Sequence, residues 1–261
     1  ELTPCFLMSP SSVAKFLPPD NGLFDLVIFD EASQIRVPQA IGAMGRGKSV
    51  VVVGDSQQMP PSAMFVAQLT ETGDLEEDPE QQAVVPVDME SILSEAVESN
   101  FERHMLLWHY RSRDESLIAF SNNRYYEDRL ASFPSPPRIT DAPQKAVSLV
   151  RVEGTWEGGS RSARVNRVEA QEIVSAVVDQ LGSDPTKSIG IITFNVQQRD
   201  LILDLMERQA STSQNVAEAL AREDAPLFVK NLENVQGDER DVIFFSLAFA
   251  PDENGRIPLN W

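Results

Sequence analysis

Two nearly unbroken apolar runs, Phe24–Phe29 (FDLVIF) and Ser49–Val53 (SVVVV), each end on polar residues, Asp30-Glu31 and Gly54-Asp55. A strand without polar alternation has no face to offer water. Such runs therefore belong in a parallel sheet covered on both sides, the arrangement of α/β folds. Between them Val37–Met44 has the spacing of a short helix, which gives a strand–helix–strand unit.

A second series of alternating elements follows. His104–Tyr110 reads as a strand, Ser112–Asn122 as a helix, Ser132–Pro143, with four prolines, as a loop, and Val147–Val152 as a strand. Asn166–Leu181 is the clearest helix. Asn166 and Glu169 have capping-box spacing, and Val168, Ile173, Val174, Val177, Val178 and Leu181 share one face. Ser188–Thr193 reads as a strand and Asn195 as the cap of a helix over Val196–Arg208, with Leu201, Ile202, Leu205 and Met206 facing inward. Leu227–Lys230 and Asp241–Leu247 complete the strands. Ahead of the first apolar run, Pro4–Met8 reads as a strand closed by Ser9-Pro10-Ser11-Ser12. The pattern predicts parallel sheets flanked by helices, with no internal repeat.

Gln68–Asp88 breaks the composition. Glu71, Asp74, Glu76, Glu77, Asp78 and Glu80 crowd around Gly73 and Pro79, as in an acidic linker or a solvated surface loop. The division it suggests is 1–66, 67–90 and 91–261. The net charge of −18 argues against a module that simply coats nucleic acid, because Lys and Arg supply much of such affinity. The charge is uneven, however. Ser49–Glu102 holds 12 acidic residues and no Lys or Arg, so a basic track can persist elsewhere. Cys5 is the single cysteine; it excludes an internal disulfide and fits a reducing, cytoplasmic setting. No apolar run reaches the roughly 18 residues of a membrane helix, so no membrane partner is expected. One cysteine and two histidines cannot assemble a zinc site from soft ligands.

The carboxylates at the end of the first run carry the most chemistry. At a strand's carboxyl end an Asp can hold Mg²⁺ through water, and a neighbouring Glu can orient or deprotonate an attacking water. A pair there for solubility alone is the competing reading. Gly54-Asp55-Ser-Gln-Gln58 can approach a phosphate closely, or can be a plain strand-end turn. Gly42-Ala-Met-Gly-Arg-Gly47-Lys48-Ser49 matches G-x-x-x-x-G-K-S letter for letter. A phosphate-holding loop of that pattern follows a strand and opens a helix. Here a helix precedes and a strand follows, so the match is rejected as a Gly-rich helix-to-strand turn.

Together these residues resemble superfamily-1 helicases, in particular the Upf-like branch. Asp30-Glu-Ala-Ser-Gln34 looks like motif II, and Gly54-Asp-Ser-Gln-Gln58 followed by Met59-Pro60-Pro61 looks like motif III. Trp108-His-Tyr110-Arg111-Ser112-Arg113 matches the Tyr-Arg element that opens the second motor domain, and Asn123-Arg-Tyr-Tyr126 its continuation. Ile189–Phe194 with Gln198-Arg199 resembles motif IV, and Asn234-Val-Gln236-Gly237-Asp-Glu239-Arg-Asp241 resembles motif V. The five occur in the family's order and spacing. The last stretch is closest to helicase regions within large bacterial multidomain proteins, some of which carry a nuclease-like domain further on.

The resemblance implies a partial RecA-like domain followed by a second RecA-like domain. It implies ATP and Mg²⁺ as cofactors and single-stranded nucleic acid as partner, with DNA ahead of RNA. Asp30 would bind Mg²⁺ and Glu31 would act as general base. Gln34 and Gln58 would contact the γ-phosphate or the water, and Arg111 would reach the phosphates from the second domain. Gly54, Asp55, Gly237 and Glu239 would line the nucleotide site. Pro60, Thr193, Phe194, Asn195, Asn234 and Gln236 would lie along the nucleic-acid track. Plain structural roles compete at several positions: an ion pair for Arg111, a core position for Phe194 and a surface acid for Glu239. The family also requires a P-loop upstream of Asp30 and an arginine-bearing motif beyond Trp261. These residues contain neither, so the expectation is a fragment inactive by itself and reliant on the rest of its polypeptide. Two alternatives stay open: an inactive helicase-like interaction module, and an ATPase that uses Lys48.

Overall fold

An apolar run becomes a strand only where a parallel neighbour takes up its backbone groups, and this requirement decides which expected strands form. The computed structural model describes residues 5–20, 22–58, 90–112, 114–134, 146–158 and 164–257. It divides into two compact units, Glu1–Val147 and Ser148–Trp261. The acidic stretch Gln68–Asp88 lies outside the described residues.

In the first unit, helix α1 (Pro10–Phe16) begins at Ser9, whose side chain accepts from the Ser12 N–H, with Pro10 in the first turn. The segment read as a closing turn is thus a helix start. Cys5–Met8, expected as a strand, finds no partner strand among the described residues. Strand β1 (Val27–Phe29), helix α2 (Val37–Met44) and strand β2 (Val50–Val52) follow as expected, with β1 and β2 parallel and Phe29 opposite Val52. Helix α3 (Ile92–Glu98), capped by Ser91, was not read from the sequence. Phe29, Ala32, Ala40, Ala43 and Ile92 form the buried cluster.

Among the described residues the strand pair is covered on one face rather than two. The register partners Ile28 and Val51 are 60% and 44% exposed, because the residues of α2 and α3 in the buried cluster gather with Phe29. Arg46 is buried in the α2–β2 turn. It donates from Nε to the Pro18 carbonyl at 2.8 Å, from Nη2 to the Leu17 carbonyl at 2.9 Å and from Nη1 to the Gly42 carbonyl. A cation at the carboxyl end of α1 also suits the helix dipole.

Strand β3 (Trp108–His109) pairs in parallel with strand β4 (Ala131–Ser132), and helix α4 (Ser116–Tyr125) lies between them in sequence. The expected strand His104–Tyr110 shortens to the two residues that have a partner. The helix expected from Ser112 begins at Ser116, where the Asp114 carboxylate accepts from the Ser116 N–H and hydroxyl. Most of the expected loop Ser132–Pro143 lies outside the described residues.

The second unit contains helix α5 (Arg167–Ser183), strand β5 (Ile189–Thr193), helix α6 (Val196–Ala210), helix α7 (Gln214–Ala221), strand β6 (Phe228–Asn231) and strand β7 (Val242–Ser246). The sheet order is β6-β5-β7, all parallel, and every residue of β5 is buried. Val177, Leu181, Ile189, Ile191, Ile202, Met206 and Val216 fill the core at no more than 1% exposure. Burial of each large side chain contributes about 1.5–3 kcal/mol. Val168 is half exposed, and Ala170 takes its place on the inner face of α5. Val147–Val152 forms no strand; Leu149 is 91% exposed.

The capping box of α5 is only half built. Asn166 Oδ1 accepts from the Glu169 N–H at 3.1 Å, but the Glu169 carboxylate accepts from the Ser246 hydroxyl at 2.7 Å and the Ala248 N–H at 3.0 Å. The fully buried Gln198 completes this network. It is bonded to the Asn166 backbone through both amide atoms and donates to Ser246 Oγ. Among the described residues no helix is long and apolar enough to cross a membrane.

Candidate functional site

The carboxyl ends of β1 and β2 bring two of the sequence motifs together. β1 runs directly into Asp30-Glu31. Glu31 sits in the left-handed region (φ 50°, ψ 41°) and starts the tight 3-10 turn Ala32–Gln34. Such backbone in a residue with a side chain costs on the order of 1–3 kcal/mol and marks functional turns. The Ala32 N–H donates to the Val53 carbonyl at 2.9 Å, which ties this turn to the exit of β2. Gly54 makes the close approach possible: a Cβ there would lie 3.1 Å from the Ser33 nitrogen and from Leu93 Cδ2.

Both carboxylates are exposed. Asp30 Oδ1 accepts from the Glu31 N–H at 3.0 Å, and Gln34 Nε2 reaches Glu31 Oε2 at 3.4 Å. Two adjacent hard oxygen donors suit Mg²⁺, which keeps several waters and takes phosphate oxygens to complete its shell. No group of three or more His, Cys, Asp or Glu that could cage a metal occurs among the described residues.

Asp55 is an organising centre. Its Oδ1 accepts from the Gln57 N–H at 2.9 Å, and its Oδ2 accepts from Gln58 Nε2 at 3.1 Å and from the Tyr126 hydroxyl at 2.6 Å. Burial, and then the bond to Asp55, push the Tyr126 pKa above its ordinary value. Arg111 is exposed and stands two residues beyond β3; on either side of it in sequence, His109 Nε2 and the Ser112 hydroxyl are hydrogen-bonded at 2.8 Å. Pro60 lies outside the described residues.

The Lys48 match to a phosphate loop has the reversed order seen in the sequence, α2 before it and β2 after it. Lys48 Nζ pairs with Asp25 at 2.7 Å, and Gly47 packs so tightly that a Cβ would meet Val27 Cγ2 at 2.7 Å. Lys48→Ala in the full-length protein is therefore expected to leave ATP affinity within about twofold in a titration with a fluorescent ATP analogue, because this lysine is engaged by Asp25 in a helix-to-strand turn and does not open a helix that could hold phosphate.

In the second unit the remaining candidates gather at the carboxyl ends of β5 and β6. Thr193 is fully buried, and its hydroxyl donates to the Asn195 carbonyl at 3.0 Å and to Asn231 Oδ1 at 3.3 Å. Its side chain supports the strand end rather than facing solvent. Phe194 is 36% exposed. Asn195 Oδ1 accepts from the Gln198 N–H at 2.7 Å and caps α6, while its Nδ2 is buried with no partner among the described residues. Asn234, Gln236, Gly237 and Glu239 occupy the turn between β6 and β7. Gly237 has φ 86°, which demands glycine for conformation, since nothing crowds its Cβ position. Lys230 pairs with Asp238, and Arg240 donates to the Pro226 carbonyl, so both neighbours of the exposed Glu239 are tied down.

Sequence reasoning gave Tyr126 no role of its own. Its appearance in Asn123-Arg-Tyr-Tyr126 was the only signal, and nothing local connects it to Asp55, 71 positions away. The buried Ser33 hydroxyl, which has no partner among the described residues, was also unmarked.

Residues 89–256 match the AAA domain family (AAA_12). Over its whole length the chain is 34% identical to "Uncharacterized ATP-dependent helicase MG140" of Mycoplasma genitalium, of which it covers 23%. It is 25% identical, over 91% of its length, to "DNA replication ATP-dependent helicase/nuclease DNA2" of Gallus gallus, covering 21% of that protein. It is also 25% identical, over 89% of its length, to "ATP-dependent helicase upf1" of Schizosaccharomyces pombe, covering 24%. The chain thus spans under a quarter of the length of these curated relatives.

Proposed function

We propose that this chain, which belongs to the AAA domain family and is a superfamily-1 helicase region, is part of a motor that hydrolyses ATP to move along single-stranded nucleic acid. The observation that carries this reading is the exposed Asp30-Glu31 pair, set at the end of β1 and backed by the Gly54–Gln58 turn. The names of all three relatives include ATP-dependent helicase, which supports ATP use. The chicken relative's name supports DNA ahead of RNA and a nuclease-like domain elsewhere in the polypeptide.

In this reading Glu31 takes the proton of the attacking water, and Gln34 and Gln58 orient that water and the γ-phosphate. Arg111 stabilises charge that grows on the phosphoryl oxygens in the transition state. Bound Mg²⁺, held by Asp30, would neutralise phosphate charge. Gly54 and Asp55 serve nucleotide binding in the first unit, with Asp55 acting through its neighbours, and Gly237 and Glu239 are the nucleotide-binding candidates of the second unit. Pro60, Phe194, Asn195, Asn234 and Gln236 follow the strand's backbone, and Thr193 braces the end of β5.

The division 1–66, 67–90 and 91–261 is kept for the intact protein, supported by a family match that runs without interruption from 89 to 256. A cytoplasmic setting accords with the exposed thiol of Cys5. The isolated 261 residues are expected to turn over no ATP, because Lys48 stands in the wrong context.

Strand displacement by the full-length protein tests the reading on duplexes with single-stranded DNA or RNA overhangs. ATP-dependent displacement, stronger on DNA, is expected. Failure to displace or translocate on either would favour a helicase-like interaction module.

A further inference from the structure

We propose that Tyr126 is a positioning residue of the hydrolytic site: through Asp55 it fixes the orientation of the Gln58 amide. This rests on the reading of the site given above. The three groups are joined at one carboxylate oxygen. Asp55 Oδ2 accepts from Tyr126 at 2.6 Å and from Gln58 Nε2 at 3.1 Å, and Oδ1 is taken by the Gln57 N–H at 2.9 Å. An ionised carboxylate only accepts, so the amide edge of Gln58 that meets it must be the NH₂. The carbonyl Oε1 is then turned to the other edge, the one atom of that amide able to take a hydrogen bond from water.

Tyr126 is itself rigidly placed. It caps the carboxyl end of α4, and its N–H donates to the Asn122 carbonyl at 3.0 Å. Asn122 then grips Leu130 from both sides, donating to its carbonyl at 2.9 Å and accepting from its N–H at 3.0 Å. Between them Glu127 and Asp128 both adopt φ 57°, a strained pair that the Asn122 and Asn123 side chains hold in place. A phenol on so braced a turn delivers its hydrogen bond at a fixed point. A shift of α4 is therefore transmitted to Asp55, 71 positions away in sequence, and through it to Gln58. The phenol is protonated, and so a donor, throughout the neutral range.

The test is steady-state ATP hydrolysis by the full-length protein carrying Tyr126→Phe, Gln58→Ala or both. Tyr126→Phe keeps the ring and removes only the donor. It is expected to lower kcat about tenfold, within the up to 100-fold cost of a 1 Å misplacement, with KM for ATP within about twofold. In the Gln58→Ala background it should have no further effect, because there is no amide left to orient. Asp55→Asn should match Tyr126→Phe, and it decides by the same criteria if Tyr126→Phe does not fold. A Gln58→Ala enzyme of normal rate would refute the site itself. If Gln58→Ala is crippled, the positioning role is overturned by a silent Tyr126→Phe, or by one that costs as much with Gln58 absent as with it present.

Discussion

In the full-length protein, Glu31→Gln is expected to lower the ATP turnover number about a thousandfold, the middle of the range a general base supplies, and to leave ATP binding nearly unchanged. The two side chains have the same shape, and the backbone of position 31 is already committed to its left-handed turn by the Ala32–Val53 bond. The substitution removes the carboxylate's proton affinity and little else. Gln34, 3.4 Å from Glu31 Oε2, can donate equally to an amide oxygen. The check is single-turnover hydrolysis beside equilibrium binding of ATP. A collapsed rate with intact affinity assigns Glu31 to chemistry. Parallel losses in both would assign it to binding or to folding of the turn.

Arg111→Ala is expected to lower kcat by a factor of about 10³ or more, the scale measured when an arginine that meets transferring phosphoryl oxygens is removed. The charge it answers develops only as the bond to the leaving group lengthens, so KM should move far less than kcat. Lysine keeps the charge but loses the planar fork of donors, so Arg111→Lys should recover only part of the rate. The position allows a clean test. Arg111 is exposed and lies outside both strands of the β3–β4 pair, so its removal opens no cavity. Its loss should therefore leave the unfolding midpoint almost unmoved in a thermal melt. A variant with normal kcat would return Arg111 to a plain ion-pairing role.

The sequence was most readable where local chemistry and tertiary partner agreed. β5 is apolar throughout and buried throughout, and Asn195 both announces and caps α6. The G-x-x-x-x-G-K-S match could be dismissed by element order alone, and the Lys48–Asp25 pair and the packing of Gly47 give its structural purpose. Val147–Val152 shows the limit. Its composition suits a strand, but a strand is a relationship between segments, and no partner meets it among the described residues. α7 was missed for the converse reason. A helix of 8 residues has little stability of its own; it forms because Val216 and Ala219 reach the core. Ser9 and Ser91 were readable caps for α1 and α3 that went unused.

At the candidate site, Asp30, Glu31, Gln34 and Gly54–Gln58 were legible because each motif is contiguous and closes a strand. The bond from Tyr126 to Asp55 was not, since it depends on where α4 comes to rest rather than on any neighbouring residue. Glu169 illustrates the same point: its spacing from Asn166 announced a capping box, and the carboxylate instead went to Ser246 and Ala248 of the neighbouring strand end.

The most direct measurement is the ATP turnover of the full-length protein with and without saturating single-stranded DNA, wild type beside Glu31→Gln. Turnover that rises with the strand in wild type and stays at background in the variant is the predicted result. Turnover indifferent to the strand, or undiminished in Glu31→Gln, would contradict a nucleic-acid motor driven from the end of β1.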